Sequence, residues 1–278
     1  MRKIILYIVF GENKAYYDGA KFSILTFMNW VTNEDSVEIV VLTEKPKKFE
    51  TYPINVIPIT KQQIKEWSLN GTYNFRIKNR GMAYIMDMLE LKEKDKVLFF
   101  DTDTYFNKSP LPLFNLINPD QAVFYLNEGL IYGRKRFQVY IEYLEDHPIK
   151  IDNEVYELSL DSAMWGSLMV GIMPNMRPSL DWADKLMQEL IAIVPAHTIE
   201  PFSLAESLLK KYKMVEGKKY VSLYSTSRKK NHAMPIITEF LNKNQTIPIK
   251  KKISLAQKVV IKRSAFKVIK QRIMHLFT

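Results

Sequence analysis

Short apolar runs rich in β-branched and aromatic residues recur along the chain, and they predict the strands of a layered fold. Each run is bounded by polar or turn-forming residues, which is the pattern of a buried strand. The runs predict strands at Lys3–Phe10, Val37–Thr43, Asn55–Ile59, Lys96–Asp101, Gln121–Leu126, Ser167–Met173 and Tyr220–Tyr224.

Apolar residues at helical spacing lie between these runs, beginning with Phe22, Leu25 and Trp30. Further stretches of this kind predict helices at Arg76–Leu91, Leu180–Ile193, Glu200–Tyr212 and Pro235–Leu241. Strands that alternate with helices favour an α/β fold, so we expect a mixed, mostly parallel sheet flanked by helices.

The composition of the 278-residue chain is that of a globular protein, with 47% hydrophobic residues. It contains no cysteine, which excludes both disulfides and thiolate metal sites. The apolar N-terminal run lacks a small-residue cleavage site after it, so we interpret it as a buried strand and not as a signal peptide. No run approaches the roughly 18 apolar residues that a membrane span needs.

The positive charge is concentrated at the C-terminal end. The net charge is +10, the last acidic residue is Glu239, and ten lysines and arginines follow it. The preceding part is therefore balanced, which argues against a nucleic acid partner, because such partners need a basic binding face. Composition also changes within Asn242–Lys252, so we expect one domain over residues 1–245 and a distinct segment over residues 246–278.

In the C-terminal segment, lysines and arginines are interspersed with apolar residues that recur at helical spacing. From Ile253 onward the apolar positions include Val259, Phe266, Ile269 and Ile273. This pattern predicts a basic amphipathic helix, which is typical of segments that bind an anionic membrane surface. The alternative is a helix that packs on the domain with its charged face in water.

The stretch KVLFFDTDTYFNKSPLPLF, Lys96–Phe114, places two carboxylates at the end of an apolar strand. On a strand, Asp101 and Asp103 share one face, and the carboxyl end of a strand in an α/β sheet faces the ligand crevice. Paired carboxylates suit Mg²⁺ or Mn²⁺. Two aspartates also commonly end a strand and begin a turn. A third possibility is a phosphatase of the haloacid dehalogenase type, although Tyr105 replaces the threonine of its D-x-D-x-T motif.

Lys96–Phe114 resembles the D-x-D segment of GT-A glycosyltransferases, particularly the glycogenin and bacterial galactosyltransferase type. Four other segments are similar to that family in the expected order. They are YDGAKFSILTF (17–27), FRIKNRGMAYIMDML (75–89), MWGSLMVGIMP (164–174) and IEPFSLAESLL (199–209). The likeness covers roughly residues 1–245, and the D-x-D is its most specific motif.

The resemblance implies a GT-A fold and a metal-dependent enzyme that transfers a sugar from a nucleotide sugar. A UDP-linked donor is expected, with Mn²⁺ or Mg²⁺ as cofactor and a surface glycan or lipid-linked glycan as acceptor. The expected location is cytoplasmic, at the inner face of the cell membrane, with the C-terminal segment as the anchor.

The resemblance also suggests roles for particular residues. The expected metal ligands are Asp101, Asp103 and His232. The expected nucleotide-binding residues are Asp101, Lys78, Arg76, Arg80 and Gly11, with Lys78 preferred among the basic ones. If the reaction inverts, Glu200 or Asp161 is the candidate general base. Structural alternatives exist: a solvated helix face for the basic residues, a helix N-terminus for Glu200 and a turn for Asp161.

Several positions depart from the family pattern. Gly166 stands where the family often has Asn, Leu168 where it has Gly, and Pro201 where it has Gln. The late histidine that completes the metal site would fall at Leu223–Tyr224, so His232 is only a possible substitute, and an ordinary surface histidine is the alternative. The second hypothesis is therefore a diverged, catalytically weak GT-A protein that acts as a binding or scaffold protein at the membrane.

Overall fold

The structure, a computed structural model, describes residues 1–145 and 147–261. Its strands are β1 (Lys3–Val9), β2 (Val37–Thr43), β3 (Asn55–Pro58), β4 (Lys96–Phe100), β5 (Thr104–Tyr105), β6 (Gln121–Leu130), β7 (Ile149–Ile151), β8 (Glu154–Tyr156), β9 (Ala163–Ile172), β10 (Lys213–Glu216) and β11 (Ser222–Leu223). Its α-helices are α1 (Lys14–Met28), α2 (Lys61–Trp67), α3 (Arg76–Met88), α4 (Leu113–Leu116), α5 (Gln138–Leu144), α6 (Arg177–Ile193), α7 (Ile199–Leu209), α8 (Ser227–Lys243) and α9 (Ile249–Ala256).

Seven strands form one sheet in the order β10-β6-β9-β4-β1-β2-β3. The pairs β1–β2, β2–β3, β1–β4 and β6–β10 are parallel, whereas β9 runs antiparallel to both β4 and β6. Two short antiparallel ribbons, β5–β11 and β7–β8, accompany this sheet. The sequence-based prediction of an α/β fold with a mixed, mostly parallel sheet is confirmed.

Strand β1 shows why the sheet strands are continuously apolar. Ile5 and Tyr7 face a core cluster that includes α1, α8 and α9, whereas Ile4 and Leu6 face another cluster with α3 and α6. A strand covered by helices on both faces must be apolar at consecutive positions and not only at alternate ones. The sheet is therefore the middle layer of three.

The order in which the chain adds strands to the sheet reverses at β1, and this switch point positions a crevice. Strand β2 pairs with one edge of β1 and β4 pairs with the other, both in parallel. Ligands in open α/β sheets bind outside the carboxyl ends of the strands at such a switch point. Here β1 ends at Val9 and β4 at Phe100, and α1 begins beside them with the Asn13 side chain capping Ala15 N.

Helix α8 begins at Ser227, about two turns before the predicted start at Pro235. Proline is common in the first turn of a helix, which made Pro235 a plausible beginning. In the structure it lies inside the helix, where it has no N–H to donate to the carbonyl of Asn231.

The beginning of the C-terminal segment packs on the domain. Ala256 of α9 is buried, and Gln257 Nε2 donates a hydrogen bond to Thr26 O on α1 at 2.8 Å. The predicted helix from Ile253 onward is wrong in its extent, because the helix ends at Ala256 and the chain turns to bury Ile261. The rest of the predicted amphipathic helix, 262–278, lies outside the described residues. Among the helices of the described part, none has the length and apolar character needed to cross a bilayer.

Candidate nucleotide and metal site

The two aspartates of the D-x-D motif lie in a tight turn between β4 and β5. Thr104 closes this turn, because its backbone N–H and its hydroxyl both donate to Asp101 O, at 3.3 and 2.8 Å. Asp101 N donates to Leu168 O of β9 at 2.9 Å. The expectation that Asp101 and Asp103 share a strand face is therefore wrong, because β4 ends at Phe100 and the pair follows it.

Tyr224 holds this turn from the other side. Its backbone N–H donates to Asp103 O at 3.1 Å, and its hydroxyl donates to Thr102 O at 3.2 Å. The preceding residues, Ser222 and Leu223, pair with β5. The segment in which the resemblance places a metal-binding histidine thus has a structural role in this chain.

Asp103 is a buried carboxylate with one occupied oxygen and one unoccupied oxygen. Its residue exposure is 8%, and Oδ2 accepts an ion pair from Lys230 Nζ of α8 at 2.9 Å. Oδ1 is buried and has no hydrogen-bond partner among the described residues. Because an unpaired buried oxygen of this kind is costly, the geometry suits a cation or a hydrogen-bond donor at Oδ1.

Asp103 and Lys230 line a cavity of about 500 Å³ at the switch point. This volume lies within the usual range for small-molecule sites, roughly 300 to 1,000 Å³. The cavity walls come from the start of α1, the D-x-D turn and the first half of α8. The other lining residues are Asn13, Ala15, Tyr16, Thr102, Tyr224, Asn231, Met234 and Pro235. Of these cavity residues the sequence-based site prediction named Asp103, and the D-x-D resemblance gave no signal for the others, including Lys230 and Tyr16.

Behind the turn, Lys78 forms a buried ion pair with Glu200. Lys78 Nζ lies 2.7 Å from Glu200 Oε2, and both contact the Ser167 hydroxyl, at 2.7 and 2.9 Å. Burial lowers the pKa of Lys78, but Glu200, Asp101 and Asp103 together outweigh this effect and leave it raised. Burial raises the pKa of Glu200, against the opposing effects of Lys78 and Ser167. Lys78 is thus a charged group held in place beside the aspartate pair.

Asp101 has a raised pKa of about 7. Burial is the largest cause, and the neighbouring charges of Asp103 and Glu200 raise the pKa further, against the opposing effect of Lys78. Three carboxylates therefore share this region with two lysines, Lys78 and Lys230. A bound cation would relieve the repulsion between the carboxylates.

Arg76 and Arg80 face helix α6 and not the aspartate pair. The Arg76 guanidinium binds both carboxylate oxygens of Asp184, at 2.6 and 2.8 Å, and also donates to two backbone carbonyls of α2. Arg80 Nη1 lies 3.7 Å from Asp181 and Asp184 carboxylate oxygens. Side chains two residues apart on a helix point about 200° apart, so Lys78 faces elsewhere. Of the three predicted basic residues, the structure brings Lys78 to the aspartates.

The remaining predicted site residues occupy separate places. Gly11 lies in the loop between β1 and α1 with φ +84°, a conformation that favours glycine, and its N–H donates to Glu44 Oε1. Asp161 is exposed in the turn before β9. His232 lines a different cavity, of about 480 Å³, together with Tyr105 and Tyr125. The structure does not bring Asp161 or His232 into the cavity at Asp103.

The donor set at the turn fits a divalent cation held by two carboxylates. Within residues 1–145 and 147–261, no three His, Asp or Glu side chains converge as a metal-binding group. Mg²⁺ and Mn²⁺ do not require three, because they are commonly held by one or two carboxylates, substrate phosphates and water. Asp103 Oδ1 is unpartnered and Asp101 lies two residues away in the same turn, so these two residues would hold the ion.

No protein-family model matches this chain, and no curated protein matches it either.

Proposed function

We propose that this protein is a GT-A glycosyltransferase that transfers a sugar from a nucleotide sugar, with UDP as the expected nucleotide. The observation that carries the proposal is the cavity at the switch point, in which the unpartnered Asp103 Oδ1 lies beside the Lys230 ammonium. The carboxylate oxygen can bind a cation and the ammonium can bind a phosphate. A nucleoside diphosphate with its divalent cation requires both kinds of group.

The residues at the site support this chemistry. Glycosyl transfer breaks the bond between sugar C1 and a diphosphate oxygen and forms a bond between C1 and an acceptor oxygen, whose proton is released. Negative charge therefore develops on the leaving diphosphate, and Lys230 is placed to stabilise it. Mn²⁺ or Mg²⁺, held by Asp101 and Asp103, would add Lewis-acid stabilisation of the same charge.

Glu200 supports the site by positioning Lys78. Its side chain is only 1% exposed, and one of its oxygens is bound by both Lys78 and Ser167. A group enclosed in this way orients its neighbour, and the lysine in turn interacts with Asp101. We therefore assign Glu200 a positioning role in place of the general-base role suggested by the resemblance.

The acceptor proposed is a surface glycan or a lipid-linked glycan at the inner face of the cell membrane. The support for the location is the excess of basic residues after Glu239, which an anionic lipid surface would attract. Each cation near such a surface contributes about 1 kcal/mol. The segment would therefore hold the enzyme where lipid-linked acceptors are present.

A second candidate is a GT-A protein that binds at the membrane without transferring sugar. The observation that favours it is the Lys230–Asp103 ion pair, because an ammonium at the metal-binding carboxylate competes with a divalent cation. In this candidate the lysine would permanently neutralise Asp103.

Thermal shift measurements with nucleotides and metal separate the two candidates. The full chain is heated with UDP, GDP or CMP, each with and without Mn²⁺. A transferase is expected to be stabilised by one nucleoside diphosphate, because ligands that bind the folded state raise the unfolding temperature. This rise should be larger when Mn²⁺ is present. Absence of a shift with every nucleotide, or an equal shift in Asp103→Asn, would contradict the proposal.

A further inference from the structure

Five lysines from separate parts of the chain line a third cavity, of about 290 Å³, which we name the lysine cavity. It shares no lining residue with the cavity at Asp103. Its lysines are Lys14, Lys21, Lys47, Lys48 and Lys252. The carboxylates in its lining are Asp18 and Glu50, so positive charge is in excess by three. Asp18 is itself occupied by Lys14 and by the Thr238 hydroxyl.

Lys252 is the buried member of this group. Its residue exposure is 6%, whereas the neighbouring lysines Lys250, Lys251 and Lys258 are exposed. Its ammonium donates to Gln245 O at a long 3.3 Å and lies 5.9 Å from the ring centre of Tyr52. An ammonium has three N–H donors, and the hydrogen bond to Gln245 O uses one of them. Burying a cation in this way is unfavourable unless an anion joins it.

Aromatic rings hold two further lysines around the same cavity. Lys48 Nζ lies 4.6 Å from the ring centre of Tyr17, and Lys21 Nζ lies 5.9 Å from that of Phe49. Such cation–π contacts keep the ammonium groups oriented without neutralising them. The lysines are therefore gathered by the fold and not merely scattered on a solvated face.

Burial and mutual repulsion both act on the pKa of these lysines. Burial lowers the pKa of Lys21, and Lys48, Lys14 and Lys252 lower it further, against the opposing effect of Asp18. Burial also lowers the pKa of Lys252. A bound anion would reverse both effects, because it favours the charged form of each lysine.

We infer that the lysine cavity binds a phosphate group. The cavity has the volume for a phosphate ester, and its five lysines come from α1, residues 46–49 and α9. The phosphate belongs either to a lipid headgroup or to a free phosphorylated compound. The inference is independent of the transferase activity, because neither Asp103 nor Lys230 takes part.

Binding of inorganic phosphate to the full chain tests this site directly by isothermal titration calorimetry. The test variant is Lys48→Gln/Lys252→Met, which removes two ammonium groups and keeps the apolar stem at the buried position. The matched control is Lys65→Gln/Lys94→Gln, two exposed lysines outside the cavity. Phosphate affinity is expected to fall at least tenfold in the test variant and to stay unchanged in the control.

Absence of phosphate binding by the natural sequence, or equal binding by the test and control variants, would overturn the inference. If Lys252→Met prevents folding, as judged by circular dichroism, Lys21→Gln/Lys48→Gln decides the matter, with the same tenfold loss expected. UDP binding in the same preparations reports on the transferase proposal separately.

Vesicles distinguish the two sources of phosphate. The chain is sedimented with vesicles of phosphatidylcholine alone or of equimolar phosphatidylcholine and phosphatidic acid. A lipid headgroup as ligand predicts that Lys48→Gln/Lys252→Met loses inorganic phosphate and binds phosphatidic acid vesicles more weakly than the natural sequence, because the basic C-terminal segment still attracts the anionic surface. A free phosphorylated compound predicts that it loses inorganic phosphate and keeps the vesicles. Retention of both ligands contradicts the site.

Discussion

Gly19 of α1 lies directly against the backbone carbonyl of Thr102, so that a Cβ atom on Gly19 would stand 2.4 Å from that oxygen. The same Cβ would be 3.0 Å from the Tyr224 hydroxyl oxygen. Helix α1 can therefore touch the D-x-D turn only because residue 19 has no side chain. This contact joins three walls of the cavity: α1, the turn and the segment before α8.

Gly19→Ala is expected to destabilise the protein, although helix propensity alone favours alanine by about 1 kcal/mol. The clash is with backbone, which cannot rotate away, so we expect a net loss of about 1 to 3 kcal/mol in the free energy of unfolding. UDP affinity is expected to fall at least tenfold because the turn must move. Urea denaturation and calorimetric titration measure the two effects.

The matched control is Gly81→Ala in α3. A Cβ there would meet Ile8 Cδ1 at 2.6 Å, the flexible end of a side chain, far along the chain from the turn. UDP affinity should be unchanged in this variant. Equal UDP affinity in Gly19→Ala and the natural sequence would show that the contact does not position the turn.

Lys230→Ala is expected to weaken UDP binding about tenfold or more while leaving stability nearly unchanged. The Lys230 side chain is 42% exposed, so its ion pair with Asp103 contributes little to folding, about 0 to 1 kcal/mol. At a diphosphate its charge contributes more. Lys229→Ala, the adjacent exposed lysine on α8, is the control and should bind UDP normally. Equal UDP affinities for the two variants would remove Lys230 from the site.

Arg76→Lys is expected to lower the free energy of unfolding by about 2 kcal/mol, because a lysine cannot reproduce the two-pronged contact with Asp184. UDP affinity should be unaffected, since Arg76 faces α6. Denaturation and UDP titration of the same preparation check both statements. Loss of UDP binding without loss of stability would restore the nucleotide-binding role that the resemblance suggests.

Because the pKa of Asp101 is raised, the free energy of unfolding of the metal-free protein should depend on pH. In the unfolded chain this carboxyl ionises near pH 4, whereas in the folded protein its pKa is about 7. The folded state thus binds the extra proton between these values, so its stability falls as pH rises from about 4 to about 7.

Asp101→Asn removes this titration. Compared in EDTA by denaturation at each pH, the variant should gain stability over the natural sequence across that window, by about 1 kcal/mol or more. The difference in free energy of unfolding between the variant and the natural sequence should be constant above about pH 8, because Asp101 is then ionised in both the folded and the unfolded protein. A stability difference between the two proteins that stays the same from about pH 4 to about pH 7 would refute the raised pKa of Asp101.

The apolar pattern of the chain was sufficient to predict six of the seven strands of the sheet, because burial on both faces leaves a continuous signal in strands such as β1. The short edge strand β10 was missed. Strand Val37–Thr43 was predicted at its observed bounds. The short pieces, β5, β7, β8 and β11, were missed or misplaced, because pairs of two or three residues carry no periodicity and depend on tertiary contacts.

The sequence allowed prediction of those site residues that lie close together along the chain, and not of those that the fold brings together from distant positions. Asp101 and Asp103 are adjacent in a motif, whereas Lys230 reaches Asp103 from more than a hundred residues away. Helical spacing does show that the three basic residues of α3 cannot act together, because Arg76 and Arg80 lie on one face of the helix and Lys78 on another. Which of those faces meets the aspartates depends on the packing of α3 against α6, which the pattern alone does not define.

We expect the D-x-D turn to bind a divalent cation together with a nucleoside diphosphate. Electron paramagnetic resonance of free Mn²⁺ tests it most directly, with the full chain added in the presence and absence of UDP, alongside Asp103→Asn. We expect the protein to remove the free Mn²⁺ signal strongly when UDP is present, beyond what UDP alone removes, and we expect Asp103→Asn not to do so. A free Mn²⁺ signal that is the same with and without the protein, or the same for both forms of residue 103, would contradict it.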